Sequence, residues 1–163
     1  MDTMILRRVR NEDIETLYGI EKKCFTNPWG KNEFFENLTD ESNSNISLVI
    51  DLNDVIVGFI VLWCAIDEGQ IDKVAVLPEY RRKGYAKKLL GEAIKLAECN
   101  GCTKFELEVR QSNAAAINLY SGMGFNKAAV RKSYYYNPIE NAVIMTLQEK
   151  QPAGSSVIAV AKK

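Results

Sequence analysis

Histidine is absent from all 163 residues. That excludes Ser-His-Asp and Cys-His nucleophilic catalysis, as well as H-E-x-x-H metal sites. Acid–base chemistry then falls to Asp, Glu, Lys, Tyr or Cys. A charge excess is also missing: 21 Lys and Arg stand against 21 Asp and Glu. The chain as a whole is no polycation, so direct nucleic-acid binding is not expected and any basic function must be local. No run of about 18 apolar residues occurs, so no transmembrane helix is expected. The N-terminus carries Asp2 at once and has no apolar h-region, so no signal peptide is expected. A cytoplasmic location with no membrane partner is the default that follows.

Cysteine is scarce, with four in the chain. Cys99-Asn-Gly-Cys102 has the C-x-x-C spacing of a zinc or redox pair. A structural zinc site needs four ligands, and Cys24 and Cys64 lie far off in sequence. No metal is therefore expected. Asn100-Gly101 reads as a helix end with cysteines packed nearby.

The length suits one domain, and a hydrophobic fraction of 47% is enough for a real core. Ile5–Val9 reads as a first strand. Asn11-Glu12-Asp13 opens a helix that Asn27-Pro28-Trp29-Gly30 breaks, and a second helix covers Glu33–Leu38. Ile46–Ile50 and Val55–Ile66 are β-branched runs flanking an Asn53-Asp54 turn. Asp67-Glu68-Gly69 turns the chain into Gln70–Val76. Ala86, Leu89, Leu90, Ala93, Ile94 and Ala97 then recur at steps of three and four, one apolar helix face. Strand Phe105–Val109, a helix from Asn113 to Met123, and strands Ala128–Tyr136 and Ala142–Leu147 complete a domain over residues 1–147. Helices between strands imply parallel pairing in this half. Residues 148–163 have a linker composition and read as a flexible tail.

The stretch LPEYRRKGYAKKLL, Leu77–Leu90, gathers Arg81, Arg82, Lys83, Lys87 and Lys88 around Gly84. It lies between a strand end, Val74-Ala75-Val76, and the start of the amphipathic helix. A helix start presents unpaired N–H groups and positive dipole character, a ready anion site. Gly84 and Ala86 are small where backbone would have to approach a ligand. The pattern is neither a P-loop nor G-x-G-x-x-G.

Arg81-x-x-Gly84-x-Ala86 after a V-A-V strand end resembles the acetyl-CoA pyrophosphate loop of the GNAT N-acetyltransferases. Leu107–Tyr120 followed by Gly124-Phe125, with Pro28-Trp29 and Arg131–Tyr135, is similar to the subgroup that acetylates ribosomal-protein N-terminal alanine. The resemblance implies a mixed α/β (α+β) fold. Its sheet is mostly antiparallel, with a parallel central pair splayed for acetyl-CoA. It implies acetyl-CoA as cosubstrate and the N-terminus of a ribosomal protein as acceptor. It places Val74, Ala75, Val76, Arg82, Lys83, Gly84, Tyr85, Ala86, Lys87, Asn113 and Tyr120 on acetyl-CoA. It makes Glu108 the base and Tyr120 the acid for the departing thiolate, and sets Trp29, Tyr134 and Tyr135 around the acceptor.

Residue chemistry agrees in part. Glu106, Glu108 and Arg110 share one strand face, while Phe105, Leu107 and Val109 share the other. Carboxylates on a central strand call for a wet cleft, an ion pair or a catalytic task. Asn113 and Tyr120 are seven residues apart, about 20° around a helix, and can line one groove. Asn113 is also a good N-cap and Tyr120 a good core aromatic. The Arg131–Tyr135 segment continues with Tyr136 where the subgroup has proline. Three rivals stay open on residues alone: acetylation of lysine or a small amine, acetyl-CoA sensing without catalysis, and RNA binding by the basic loop.

Overall fold

A computed structural model describes residues 3–40, 42 and 44–148. Seven strands form one sheet: β1 (Met4–Arg8), β2 (Asn45–Leu52), β3 (Val55–Ala65), β4 (Glu68–Val76), β5 (Lys104–Arg110), β6 (Asn126–Tyr135) and β7 (Glu140–Gln148). Their spatial order is β1-β2-β3-β4-β5-β7-β6. Helices α1 (Ile14–Cys24) and α2 (Lys31–Thr39) precede β2, α3 (Tyr85–Cys99) joins β4 to β5, and α4 (Ala114–Gly122) follows β5. The expected tail begins after 147, but β7 runs through Gln148. Residues 149–163 lie outside the described residues.

Local chemistry explains most boundaries. Asn53 and Asp54 both take positive φ, 53° and 67°, as a tight turn between twisted strands requires. Asp13 starts the α1 region: its carboxylate accepts both Arg7 guanidinium bonds, at 2.7 and 3.0 Å, and the Arg10 N–H at 2.7 Å. α3 ends at Asn100, and Gly101 follows with φ 98°. That is the helix stop read from Asn100-Gly101.

Two expectations need correction. The Asp67-Glu68-Gly69 turn is tighter, confined to Ile66 and Asp67, and Glu68 and Gly69 belong to β4. Gly69 is small because the Phe105 ring lies over it. A Cβ there would sit 2.6 Å from a ring carbon. The second correction concerns β5 and β6, which are not neighbours. β7 inserts between them, antiparallel to both. Parallel pairing is confined to β4 and β5.

The sheet carries a core on each face. Leu89, Leu90, Ala93, Ile94 and Ala97 of α3 pack with Leu48, Ile60 and Leu62 on one side. Ile14, Leu17 and Ile20 of α1 and Phe34 and Leu38 of α2 pack with Val49, Phe59 and Val61 on the other. Each fully buried large apolar side chain contributes about 1.5–3 kcal/mol. β6 is the exposed edge, carrying Lys127, Arg131 and Lys132, charges that discourage further strand pairing.

The site is set where the sheet splits. β4 and β5 pair over four positions, from Glu68↔Lys104 to Ile71↔Leu107, and then part. At the same point β4 bulges against β3: Lys73 faces Val61 and Ile71 faces Leu62, which leaves Asp72 without a partner. A bulge bends its strand and re-aims the extra side chain. β5 stays paired to β7 on its other edge along its whole length, from Lys104 to Arg110.

Candidate active site

The gap between β4 and β5 opens into a cleft of about 630 Å³. β4 contributes Asp72, Lys73 and Val74, β5 contributes Glu108 and Arg110, and α4 contributes Ala116 and Tyr120 with Asn113 before it. The remaining walls are Phe25–Trp29 and Tyr134–Tyr136. Sequence-predicted Val74, Glu108, Asn113, Tyr120, Trp29, Tyr134 and Tyr135 thus come together, although they span more than a hundred residues of chain.

Glu108 is largely shielded, and its Oε1 accepts an Arg131 bond at 3.2 Å. The Glu108 carboxylate beside the Tyr134 phenol raises the Tyr134 pKa. Tyr120 is buried against Phe125 with ring centroids 5.9 Å apart. Burial pushes its phenol up to about 12, so it stays protonated across the physiological range. Asn113 caps α4, accepting the Ala116 N–H at 3.2 Å. The cap and the groove-lining position coexist.

Trp29 is held from behind. Its N–H donates to Glu21 Oε2 at 2.9 Å, and the same oxygen takes Lys73 Nζ at 2.5 Å. Lys73 Nζ also sits 4.4 Å from the centroids of both Phe25 and Trp29. Across the mouth, Arg110 donates to the Tyr136 and Pro138 carbonyls and to Thr26 Oγ1, and pairs with Glu140. Asn27 Nδ2 donates to the Tyr136 carbonyl at 2.6 Å. The α1–α2 and β6–β7 connections are therefore stitched together over the cleft. A second bulge, between Arg131 and Tyr135 of β6, accompanies the Tyr134–Tyr135 pair, whose rings stand perpendicular at 5.0 Å.

The basic loop lies at the far end of β4. Gly84 precedes α3 with φ 83°, in the left-handed region, and nothing lies within 4 Å of where a Cβ would be. Tyr85, Ala86 and Lys87 follow as the first helical turn, whose N–H groups have no intrahelical acceptor. Arg82, Lys83 and Lys87 are exposed and form no ion pair among the described residues. Arg81 has a different task. Its Nε donates to the Val76 carbonyl at 2.9 Å and its Nη2 to Cys24 Sγ at 3.6 Å, so it shapes the loop. Ala75 and Val76 bury their side chains in opposite cores. Only their backbone can meet a ligand, and β4 beyond Ile71 has no β5 partner for it. An extended, amide-bearing ligand fits such an edge as an added strand would.

A profile of the acetyltransferase (GNAT) family matches residues 14–125. The chain belongs to this family. The ribosomal protein bS18-alanine N-acetyltransferase of Haemophilus ducreyi is 35% identical over 146 residues, covering 88% of this chain and 99% of that protein. Its Escherichia coli counterpart is 34% identical over 137 residues, covering 83% and 90%. The crystal structure of the Escherichia coli ribosomal-protein-S18-alanine N-acetyltransferase superposes with a TM-score of 0.83. It is 31% identical and covers 94% of this chain and 98% of that one. The mixed, mostly antiparallel GNAT fold with a splayed parallel pair is therefore the fold of this chain.

Several site residues of this GNAT chain escaped the sequence reading: Asp72, Lys73, Glu21, Arg110 and Arg131. One signal was present for the first two. An adjacent acid and base inside the apolar run Ile71–Val76 is unusual for a central strand. Burial lifts the Asp72 carboxyl to about 6; Lys73 opposes that rise and Glu108 adds to it. The side chain is reached by solvent through the cleft mouth, yet protein surrounds its flanks. Cys24 borders the cleft, its Sγ donating to the Val76 carbonyl and accepting from Arg81, while Cys64 and Cys102 lie outside it. Cys102 is buried, and burial pushes the Cys64 thiol up to about 12.

Proposed function

We propose that this chain transfers the acetyl group of acetyl-CoA to the N-terminal α-amine of a protein in the cytoplasm, an alanine-starting S18-type ribosomal protein. The observation that carries this is the cleft at the β4–β5 split, where a shielded carboxylate, Glu108, and a protonated phenol, Tyr120, share one cavity. Binding alone needs neither group. The relatives' activity on ribosomal-protein alanine supports the acceptor class.

Residues 82–87 hold the pyrophosphate through free backbone N–H groups, the helix dipole and the charges of Arg82, Lys83 and Lys87. The open edge of Val74–Val76 takes the pantetheine amides, with Asn113 beside them. Trp29, Tyr134 and Tyr135 border the acceptor. Glu108 accepts a proton from the attacking amine, directly or through one water. Tyr120 donates to the departing thiolate. Its raised pKa delays that transfer until the C–S bond breaks and sulfur becomes strongly basic. No covalent enzyme intermediate is needed, because an amine attacks a thioester directly.

An α-ammonium has a pKa near 7.7–8.0 against about 10.4 for lysine. At neutral pH roughly a tenth of α-amines are already neutral, some two to three hundred times the fraction for lysine. The test is an acceptor panel of Ala-starting peptide, lysine peptide and polyamine at equal concentration. Selective turnover of the Ala-starting peptide is expected; selective turnover of a polyamine would overturn the reading.

A further inference from the structure

The acceptor enters the cleft as an ammonium and leaves as an amide, so its nitrogen must lose two protons. Glu108 can take one. The cleft holds a second carboxylate, Asp72, set beside Glu108 where the β4–β5 ladder ends. The bulge puts Asp72 there: it is the extra residue opposite Val61 and Leu62. Neighbouring charges are already committed. Lys73, on the same strand, pairs with Glu21 between two aromatic rings. Arg131 of β6 pairs with Glu108 of β5, the Tyr134 phenol lies beside Glu108, and Arg110 pairs with Glu140. The α4 side presents Tyr120, a neutral phenol. Among the described residues no hydrogen bond or ion pair engages the Asp72 carboxylate. A carboxylate in a protein-walled cleft with every nearby cation spoken for is a receptor for an incoming cation.

We propose that Asp72 receives the acceptor's α-ammonium and takes its first proton, leaving the second to Glu108. This rests on the N-terminal amine reading above and assigns a group within it. The proton balance is closed. The ammonium gives one proton to Asp72 and becomes an amine. Its lone pair forms the N–C bond at the thioester carbonyl, and the C=O pair moves to oxygen. The nitrogen, positive again, gives its second proton to Glu108. The carbonyl re-forms, the C–S bond breaks with its pair on sulfur, and sulfur takes the Tyr120 proton. One carboxylic acid reprotonates the Tyr120 phenolate and the other returns its proton to water, so one proton is released per turnover. The raised basicity of Asp72 suits the task, because an ordinary aspartate near 3.9 lies about four units below an α-ammonium and Asp72 lies about two.

The test is the pH dependence of kcat/KM for an Ala-starting peptide with wild type, Asp72→Asn and Glu108→Gln. Wild type needs an ionised Asp72 only while the amine is charged, so its profile rises through a limb near pH 6 and stays level above pH 8. Asp72→Asn must wait for free amine. Its limb moves up from near pH 6 to near pH 8, with a plateau above that. Its rate is roughly tenfold below wild type near pH 7, the neutral fraction of the amine, and the gap closes by pH 9. Glu108→Gln is lower throughout and keeps the limb near pH 6. Asp72→Glu restores the limb near pH 6, which a packing role would not do. Asp72→Ser serves if the asparagine variant misfolds, and acetyl-CoA calorimetry reports folding for both. A limb still near pH 6 in Asp72→Asn or Asp72→Ser overturns this assignment alone. Failure of wild type to acetylate the peptide overturns the activity reading instead.

Discussion

Lys73→Met is the perturbation whose size the structure sets best. Glu21 is fully buried and Lys73 is 8% exposed, and their carboxylate and ammonium meet at 2.5 Å. Among the described residues Glu21 Oε1 has no partner, and Oε2 carries the hydrogen bonds of that carboxylate, from Lys73 and from the Trp29 N–H. Removing the ammonium leaves a buried carboxylate with one neutral donor. Breaking a buried pair in this way costs about 3–5 kcal/mol, a large share of the roughly 5–15 kcal/mol that holds a domain together. With a urea m-value of about 2 kcal/mol/M, the midpoint should fall by about 1.5–2.5 M. The double variant Glu21→Leu, Lys73→Met removes both charges and should recover most of the loss, since apolar replacement of a buried pair is often neutral. Both variants loosen the Phe25–Trp29 wall, so the acceptor KM should rise while acetyl-CoA affinity holds. A single Lys73→Met within 1 kcal/mol of wild type would refute the pairing as a stabilising lock.

Glu108→Gln should lower kcat about 10²–10⁴-fold with acetyl-CoA affinity nearly kept; wild-type turnover would falsify its role as base. Tyr120→Phe should slow acetyl transfer about a hundredfold in single-turnover experiments, and an unchanged rate removes the phenol from the mechanism. Gly84→Asp forces a side chain into φ 83° and sets a negative charge in an anion cradle, so acetyl-CoA binding should weaken at least about tenfold by calorimetry. Wild-type affinity there would refute the loop assignment. Asp72 has a folded pKa above its unfolded value, so its ionised form opposes folding above pH 6 and not below pH 4. Asp72→Asn should therefore raise Tm at pH 8 and leave it unchanged at pH 4; a lower Tm at pH 8 contradicts the raised pKa of that carboxyl.

Local patterns carried much of the fold. The three-and-four spacing of Leu89, Leu90, Ala93, Ile94 and Ala97 is the buried face of α3, and Asn53-Asp54 is the turn its residues suit. Glu108, Asn113 and Tyr120 were named from the resemblance, and the strand and helix periods are consistent with the one cleft they line. Position along the chain hides the rest. Arg131 pairs with Glu108 across 23 residues and Lys73 with Glu21 across 52, contacts no local pattern encodes. The insertion of β7 between β5 and β6 is likewise a choice of long-range pairing. Asp72 was missed for a different reason. A bulge shifts the strand period by one, so alternation along Gln70–Val76 misstates which side chains face the gap. Gly69 misled in the same way, its small size serving the Phe105 ring rather than a turn.

The central claim is that this cleft selects an α-amine over the lysines of the same protein. The most direct measurement incubates the chain with acetyl-CoA and a full-length, alanine-starting S18-type ribosomal protein, then locates the acetyl group by fragment mass spectrometry. Acetyl on the N-terminal alanine, with lysines unmodified, is the expected result. Acetyl on lysine side chains with a free N-terminus would contradict it.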